Sequence, residues 1–347
     1  MIDFEGYIAN KSFFAAANGF SGFKSIFNEV LKRNELSRLF ILKGGPGTGK
    51  SSIMKAIIKY ANQEGIYAEA IWCSSDTNSL DGVILTDGDK SVAVIDGTSP
   101  HTMDPVYPGA RDEIINLGDS FDILHLKKHS EKIYEYTAKK SGCYKDAYRY
   151  LEMAGKMHRF ICEKYEEKID GEAIDALVES ILSSVKAEES NDAPHRYLIS
   201  AFGKDGEVRL SDCCEENKNC IRISGDGYTE FIVMERLCSQ LSHCTEAYCP
   251  TPLSERQIEA IYTPRHLFIT DKSTNGGIDS TVIMAEKAEL LQEKRIYNEL
   301  LKLAKDAFAR AAEWHFMLED IYKGGMNFSN NDTIFNKLIK DIERELC

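Results

Sequence analysis

The chain has no apolar run of the roughly 18 to 20 residues needed to span a bilayer. Its first residues, MIDFEGYIANKSFF, carry acidic side chains where a secretory signal needs a basic start. We therefore expect a cytoplasmic protein with no membrane partner. Basic residues are in deficit, since 42 Lys and Arg against 55 Asp and Glu leave a net charge of −13. Nucleic-acid phosphates demand concentrated cations, so this balance argues against a nucleic-acid partner. Lys127-Lys128, Lys139-Lys140 and Lys145 with Arg149 fall on predicted helices, where such charges form a solvated face. The ten cysteines include no Cys-x-x-Cys pair. Cys213, Cys214, Cys220, Cys238, Cys244 and Cys249 could be gathered into a zinc site, but small half-buried thiols in a reducing compartment are the simpler account.

What is present is a folded, two-part chain. At 347 residues it exceeds one ordinary core, and 43% hydrophobic with 28% charged residues is a globular composition. Arg38 to Leu42 is a short apolar run that reads as a buried parallel strand. Gly44-Gly45-Pro46-Gly47-Thr48-Gly49-Lys50-Ser51-Ser52 follows, and then Ile53, Ala56, Ile57 and Tyr60 fall at helical spacing. Strand, glycine-rich loop and helix in that order are what a P-loop requires. The glycines let several backbone N–H groups converge on phosphate oxygens at a helix amino end. Lys50 brings charge to the β- and γ-phosphates, and the Ser51 hydroxyl is a Mg²⁺ ligand. No Asn-Lys-x-Asp string for guanine recognition is present, which favours ATP over GTP.

Ile66 to Cys73 reads as a second strand opening into a polar segment, where Asp76 and Asp81 are candidates for substrate or metal contact, although Asp81-Gly82 is equally a turn signal. Ser91 to Asp96 reads as an apolar strand that sets Asp96 beside Mg²⁺. Gly97 follows where energetic ATPases carry a water-activating glutamate. That absence argues against rapid hydrolysis and leaves a slow switch, or transfer to a substrate hydroxyl, open. His101, Asp104 and Arg111 lie in the next, proline-punctuated loop. Arg111 is a candidate for the γ-phosphate or a substrate, with a surface ion pair as the plain alternative.

The chain also resembles itself. Ile221 to Met234 lies over Ile41 to Met54 at an offset of 180, with Gly225 on Gly45, Gly227 on Gly47, Glu230 on Lys50 and Phe231 on Ser51. Glu69-Ala70 lies over Glu246-Ala247, Val92 to Ile95 near His266 to Ile269, and the Ala154, His158, Glu163, Tyr165 set over Ala311, His315, Asp320, Tyr322. Repeats in one order indicate duplication. A carboxylate repels phosphates and a phenyl ring cannot hold Mg²⁺, so the second loop should not bind a nucleotide in the same way. Arg265, near the repeated strand, is then a candidate donor to the γ-phosphate across the two halves.

Asn18-Gly19-Phe20-x-Gly22-Phe23, the loop Gly44 to Ser52, Pro105-x-Tyr107-Pro108-Gly109-Ala110 with Asp112 to Asp119, and the paired histidine-bearing helices together resemble a poorly characterised group of bacterial ATPase-like proteins with two tandem P-loop halves. The resemblance covers most of the chain and implies ATP binding without naming a substrate. The expected fold is thus α/β, a P-loop NTPase-like parallel sheet flanked by helices, tandemly duplicated with added helical segments. We expect the helices over Cys143 to Tyr165, Glu172 to Val185 and Ile283 to Tyr322, with His158 and His315 as ordinary satisfied helix histidines. The polar stretch after Ala187 divides residues 1–187 from 195–347. Expected site residues are Gly44 to Ser52 for ATP, Ser51 and Asp96 for Mg²⁺, and Lys50, Asp96 and Arg111 for catalysis. A Mg-dependent ATPase or nucleotide switch is the leading reading, with a small-molecule or nucleotide kinase as the alternative. A protein that only uses nucleotide to order its fold is a third, opposed by the full Lys, Ser and Asp set.

Overall fold

The structure is a computed structural model describing residues 8–33, 36–185, 196–210, 219–241, 245–248, 257–271, 277–286 and 289–346. Its first half runs β1 (Lys11–Phe14), β2 (Ala16–Gly19), β3 (Gly22–Ser25), α1 (Phe27–Arg33), β4 (Arg38–Lys43), α2 (Lys50–Glu64), β5 (Tyr67–Trp72), β6 (Leu80–Asp87), β7 (Lys90–Asp96), β8 (Asp112–Asn116), α3 (Ile123–Lys128), α4 (Ser130–Glu166) and α5 (Gly171–Ser183). The second runs β9 (Arg196–Tyr197), β10 (Ser200–Gly203), β11 (Gly206–Arg209), β12 (Asn219–Ser224), α6 (Thr229–Gln240), β13 (Thr245–Tyr248), β14 (Ile258–Tyr262), β15 (His266–Asp271), β16 (Ile278–Asp279), α7 (Leu291–Gly324) and α8 (Phe328–Leu346). No helix among the described residues is long and apolar enough to cross a membrane.

The internal similarity of the sequence has a counterpart in the topology. One sheet has the order β1-β5-β6-β7-β4-β8 and the other β9-β13-β14-β15-β12-β16. Matched neighbours pair in the same sense throughout: parallel at the β1 and β9 edges, antiparallel on either side of β6 and β14, parallel around β4 and β12. The sheets are therefore mixed, not parallel as the sequence suggested. The cause is β6, which turns back into β7 through a two-residue connection at Gly88-Asp89, with Gly88 at φ 58°. Such a left-handed tight turn suits a hairpin. Asp81-Gly82, offered by the sequence as a turn, lies inside β6. A Cβ on Gly82 would come within 3.0 Å of Ile71 and 3.3 Å of Ile95, so the strand needs glycine there for packing.

Register refines the repeat. Leu42 packs on α2 in one core and Ile223 on α6 in the other, giving a strand offset of 181, while Met54 and Met234 keep 180 in the helices. The second loop is one residue shorter. On this register Asp96 corresponds to Thr270, since Leu42 pairs with Asp96 and Ile223 with Thr270.

The two sheets face each other across a shared core in which Leu39, Ile41, Ala93 and Ile95 meet Ala260, Tyr262, Leu267 and Ile269. The outer faces are covered by exchanged helices. Helix α8 of the second half lays Leu338, Ile342 and Leu346 on the first core with Phe40, Leu42, Ile53 and Met54. Helix α5 of the first half lays Ile174, Val178 and Ile181 on Ile223, Val233 and Phe268 of the second. α4 and α7 pair antiparallel along one side, with Tyr136 near Trp314 and Tyr144 near Phe308. The backbone keeps the same two-fold relation: Phe14 and Leu198 exchange N–H···O bonds of 2.8 and 3.2 Å, and Phe121 bridges Met326 as Met284 bridges Ile169. Each side of residues 187–195 thus contributes a helix to the core of the other. Asn18, at the heart of the Asn-Gly-Phe motif, is an interface residue, donating to the Phe202 carbonyl at 2.8 Å and accepting from Tyr148 Oη at 2.8 Å.

Candidate functional site

β4 and β7 run side by side and end together, which delivers the loop and the acidic residue to one edge of the sheet. After β4 the chain turns through Gly44 to Gly49, with Gly47 at φ 68° and Gly49 at φ 86°, conformations that disfavour a side chain. Thr48 Oγ1 donates to the Gly45 carbonyl at 2.9 Å and braces the turn. Helix α2 begins at Lys50 with no side chain capping its first N–H groups, so these donors point into the loop.

Lys50 Nζ donates to the carbonyls of Gly44 at 3.1 Å and Gly45 at 2.9 Å and lies 3.6 Å from Asp96 Oδ2. Asp96 Oδ1 accepts from Thr98 N and Oγ1 at 2.8 and 2.6 Å. Ser51 Oγ accepts from the Leu80 N–H at 3.0 Å, which leaves its own proton and second lone pair for another partner. Lys50, Ser51 and Asp96 are thus brought together, whereas Ser52 is exposed one residue further along α2.

Arg111 is not part of this group. Its carbonyl accepts from Leu39 N, and Asp112 pairs with Leu39 at the start of β4, so Arg111 sits at the end of the sheet opposite the loop. Its guanidinium lies over Tyr107 and donates through Nε to Asp112 at 2.5 Å. Burial alone would raise the Asp112 carboxyl, but that bond and two backbone N–H groups outweigh it and hold the pKa below its ordinary value. The plain alternative, a structural ion pair, is what the position supports. Arg265 is likewise at the amino end of its strand, β15, away from the loop at the carboxyl end of β12. Asp104 is exposed and pairs with Lys43 Nζ at 3.1 Å, while that ammonium also donates to the carbonyls of Gly97 and Met103 and ties the 97–104 segment to β4. Asp76 pairs with Lys204 of the second half at 3.4 Å.

Asp81 and His101, separate candidates in the sequence, meet at 3.6 Å beside Asp96. Adjacent antiparallel strands explain it, since Gly82 pairs with Ile95. Candidate metal-ligand atoms of Asp81, Asp96 and His101 all lie within 4.8 Å of one another, the His/Cys/Asp/Glu cluster of this kind found among the described residues. Cys220 and Cys238 are not in such a cluster, and Cys213, Cys214, Cys244 and Cys249 lie outside the described residues. Burial pushes Asp81 up from 3.8 to about 6, with the charge of His101 opposing the rise and that of Asp96 adding to it. Burial, reinforced by the Asp81 charge, lifts the Cys73 thiol well above its ordinary value, so it is neutral.

A pKa raised on folding means the folded state holds the proton more tightly, so stability falls as pH rises from about 4 through 6. Asp81→Asn should therefore stabilise the metal-free protein near neutral pH by about 2 to 3 kcal/mol, with the difference closing below about pH 4. Urea unfolding of both proteins across that range is the check, and a difference independent of pH would show that Asp81 carries no buried charge.

No protein-family model, curated protein or solved structure matches this chain. What the loop can do is read from its own geometry and from its counterpart. In the second half Gly227 keeps the left-handed conformation, at φ 94°, but the buried Glu230 carboxylate accepts its N–H at 3.1 Å. The second loop is filled by a carboxylate of its own chain. Tyr228, in place of Thr48, stacks on His158 and Tyr165. The first loop is instead overlaid by the other half, with Tyr322 against Gly45, the Glu319 carbonyl and Lys323 against Gly47, and Asn331 Nδ2 donating to the Thr48 carbonyl at 2.9 Å. Sequence reading noted Tyr322 only as a repeat of Tyr165 and missed Lys323 and Asn331, because a helix that crosses from one repeat to the other leaves no local pattern.

Proposed function

We propose that the first half binds ATP with Mg²⁺ at Gly44 to Ser52 and that the protein is a Mg-dependent ATPase or nucleotide-dependent switch with one functional site. The observation that carries this is the position of the Lys50 ammonium, between two loop carbonyls and Asp96 at the open amino end of α2. An ammonium there meets phosphate oxygens cradled by the loop N–H groups. Ser51 and Asp96 offer hard oxygen donors of the kind Mg²⁺ takes and would hold the ion. When bound, Mg²⁺ neutralises charge developing on the transferred phosphate. At the repeated positions stand Glu230, Phe231 and Thr270, which bring neither an ammonium for the phosphates nor a carboxylate in the place of Asp96.

Titration with a slowly hydrolysed ATP analogue and Mg²⁺ should therefore saturate near one equivalent per chain. Two equivalents of similar affinity would mean that Glu230 does not block its loop, and no binding would remove the proposal.

The Asp81 and His101 pair favours one further reading, phosphoryl transfer to a small hydroxyl-bearing acceptor. Gly97 leaves no glutamate after Asp96, yet a buried carboxyl with a pKa of about 6 stands beside His101 and Asp96 and is suited to take a proton near neutral pH. Phosphate release without an acceptor supports hydrolysis, whereas label transferred from ATP to an added metabolite supports the kinase reading.

A further inference from the structure

Across the pseudo-two-fold axis, the residues that face the first loop can be compared with those that face the second. Helices α4 and α7, and α5 and α8, superpose in sequence at an offset of 157, which the matched bridges at Ile169 and Met326 confirm. Tyr165 and Tyr322 are the same at both places, as are His158 and His315. Three positions differ. Glu319, Lys323 and Asn331 overlook the Lys50 loop, and their counterparts near the Glu230 loop are Cys162, Glu166 and Ile174. The loop that kept its lysine and serine thus has a carboxylate, a cation and an amide at these positions, while the loop that lost them has a thiol, a carboxylate and an apolar side chain there and meets a cation from elsewhere on α7, Lys294, 3.7 Å from Asp226.

The contacts are close. A Cβ placed on Gly47 would lie 2.9 Å from the Glu319 carbonyl and 3.0 Å from Lys323 Cγ, and one on Gly49 would lie 3.6 Å from Asn331 Nδ2. Asn331 is buried, and its Oδ1 has no hydrogen-bond partner. Lys323 lays its stem along the loop and turns its half-exposed ammonium to Glu319 Oε2 at 2.9 Å, with His315 at 3.6 Å on the other oxygen. Lysine carries its charge on a flexible stem, so a phosphate in the loop competes with Glu319 for it.

We propose that the nucleotide site is completed by the other half of the chain: Lys323 of α7 is a second cation for the phosphates, held in reserve by Glu319, and Asn331 of α8 fixes the loop at Thr48. This rests on the nucleotide reading above and adds the source of binding energy and the means by which the second half senses the ligand. Binding draws Lys323 from its partner on α7 to the loop, which ties the exchanged helices to nucleotide occupancy.

The test uses the full chain and calorimetric titration with the slowly hydrolysed ATP analogue and Mg²⁺, alongside thermal unfolding without nucleotide. Lys323→Gln should weaken affinity by about 10- to 100-fold, the worth of one charge-assisted hydrogen bond, without lowering the unfolding midpoint. Lys323→Arg should restore most of it. Glu319→Gln, which releases the ammonium, should tighten affinity several-fold, a gain that a merely structural contact would not give. Wild-type affinity in Lys323→Gln, or equal weakening in Lys323→Gln and Glu319→Gln with lowered midpoints, would overturn the proposal. Lys50→Ala separates the two layers. If it binds like wild type the nucleotide reading itself fails, and if it alone loses binding the site is confined to the first half.

Discussion

Lys50→Ala should lose the proposed nucleotide binding and keep its fold. The side chain is largely covered, but its partners are polar: two loop carbonyls and the Asp96 carboxylate. It contributes to none of the hydrophobic clusters, which are built from Phe40, Leu42, Met54 and their neighbours. Removing it leaves Asp96 and Asp81 facing each other with less positive charge nearby, and a phosphate entering the loop would meet two carboxylates. Truncating one partner of a desolvated charge pair costs about 2 to 5 kcal/mol, roughly 30- to several-thousand-fold in Kd. Calorimetry with the analogue and Mg²⁺ reads the affinity, and far-ultraviolet circular dichroism reads the fold. An affinity within about threefold of wild type would show that phosphate does not contact Lys50.

The second large effect concerns the exchanged helices. Residues 1–187 produced alone lack α8, so Phe40, Leu42, Met54 and Ile57 lose the cover that Leu338, Ile342 and Leu346 provide. Each buried aliphatic side chain is worth about 2 to 5 kcal/mol when cut back to alanine, and a domain's whole stability is about 5 to 15 kcal/mol. The segment should be insoluble or unfolded alone, and should recover a cooperative unfolding transition when 195–347 is co-expressed. The full-length pair Leu338→Ala and Ile342→Ala should lose about 4 to 10 kcal/mol, most of the stability of the first core. A monomeric, cooperatively unfolding 1–187 would disprove the exchange.

These two cases mark where sequence reading succeeds and where it stops. The strand, loop and helix from Arg38 to Glu64 were legible because every determinant lies within one short segment: an apolar run, glycines at positive φ, then apolar residues at helical spacing. The internal similarity was legible too, through Gly45 and Gly225, His158 and His315, and its pairing of Lys50 with Glu230 places a carboxylate inside the second loop. Arg111 was misplaced because closeness in sequence to Asp96 says nothing about which end of β8 it begins. That depends on β8 running parallel to β4, a long-range choice. Asp81 and Gly82 looked like a turn because the pair usually is one, and here the packing of Gly82 between Ile71 and Ile95 overrides local preference. The span Ile283 to Tyr322 was read as one helix, but residues 280–283 form a short 3-10 turn and α7 begins at Leu291. The role of α8 was hidden because its apolar face matches a surface in the other repeat.

The placement of α8 also governs the order in which the protein can mature during synthesis. β4 and the loop emerge early, yet the helix that roofs their core and supplies Asn331 is made nearly three hundred residues later. At about 5 to 20 residues per second, the first sheet waits roughly 15 seconds to a minute with one apolar face uncovered. During that interval an apolar face of the kind chaperones bind is open, and the Gly44 to Gly49 loop lacks its contact with Asn331. A chain that stalls before residue 328 cannot close this core, so the proposed nucleotide site would be completed only after both repeats have been translated.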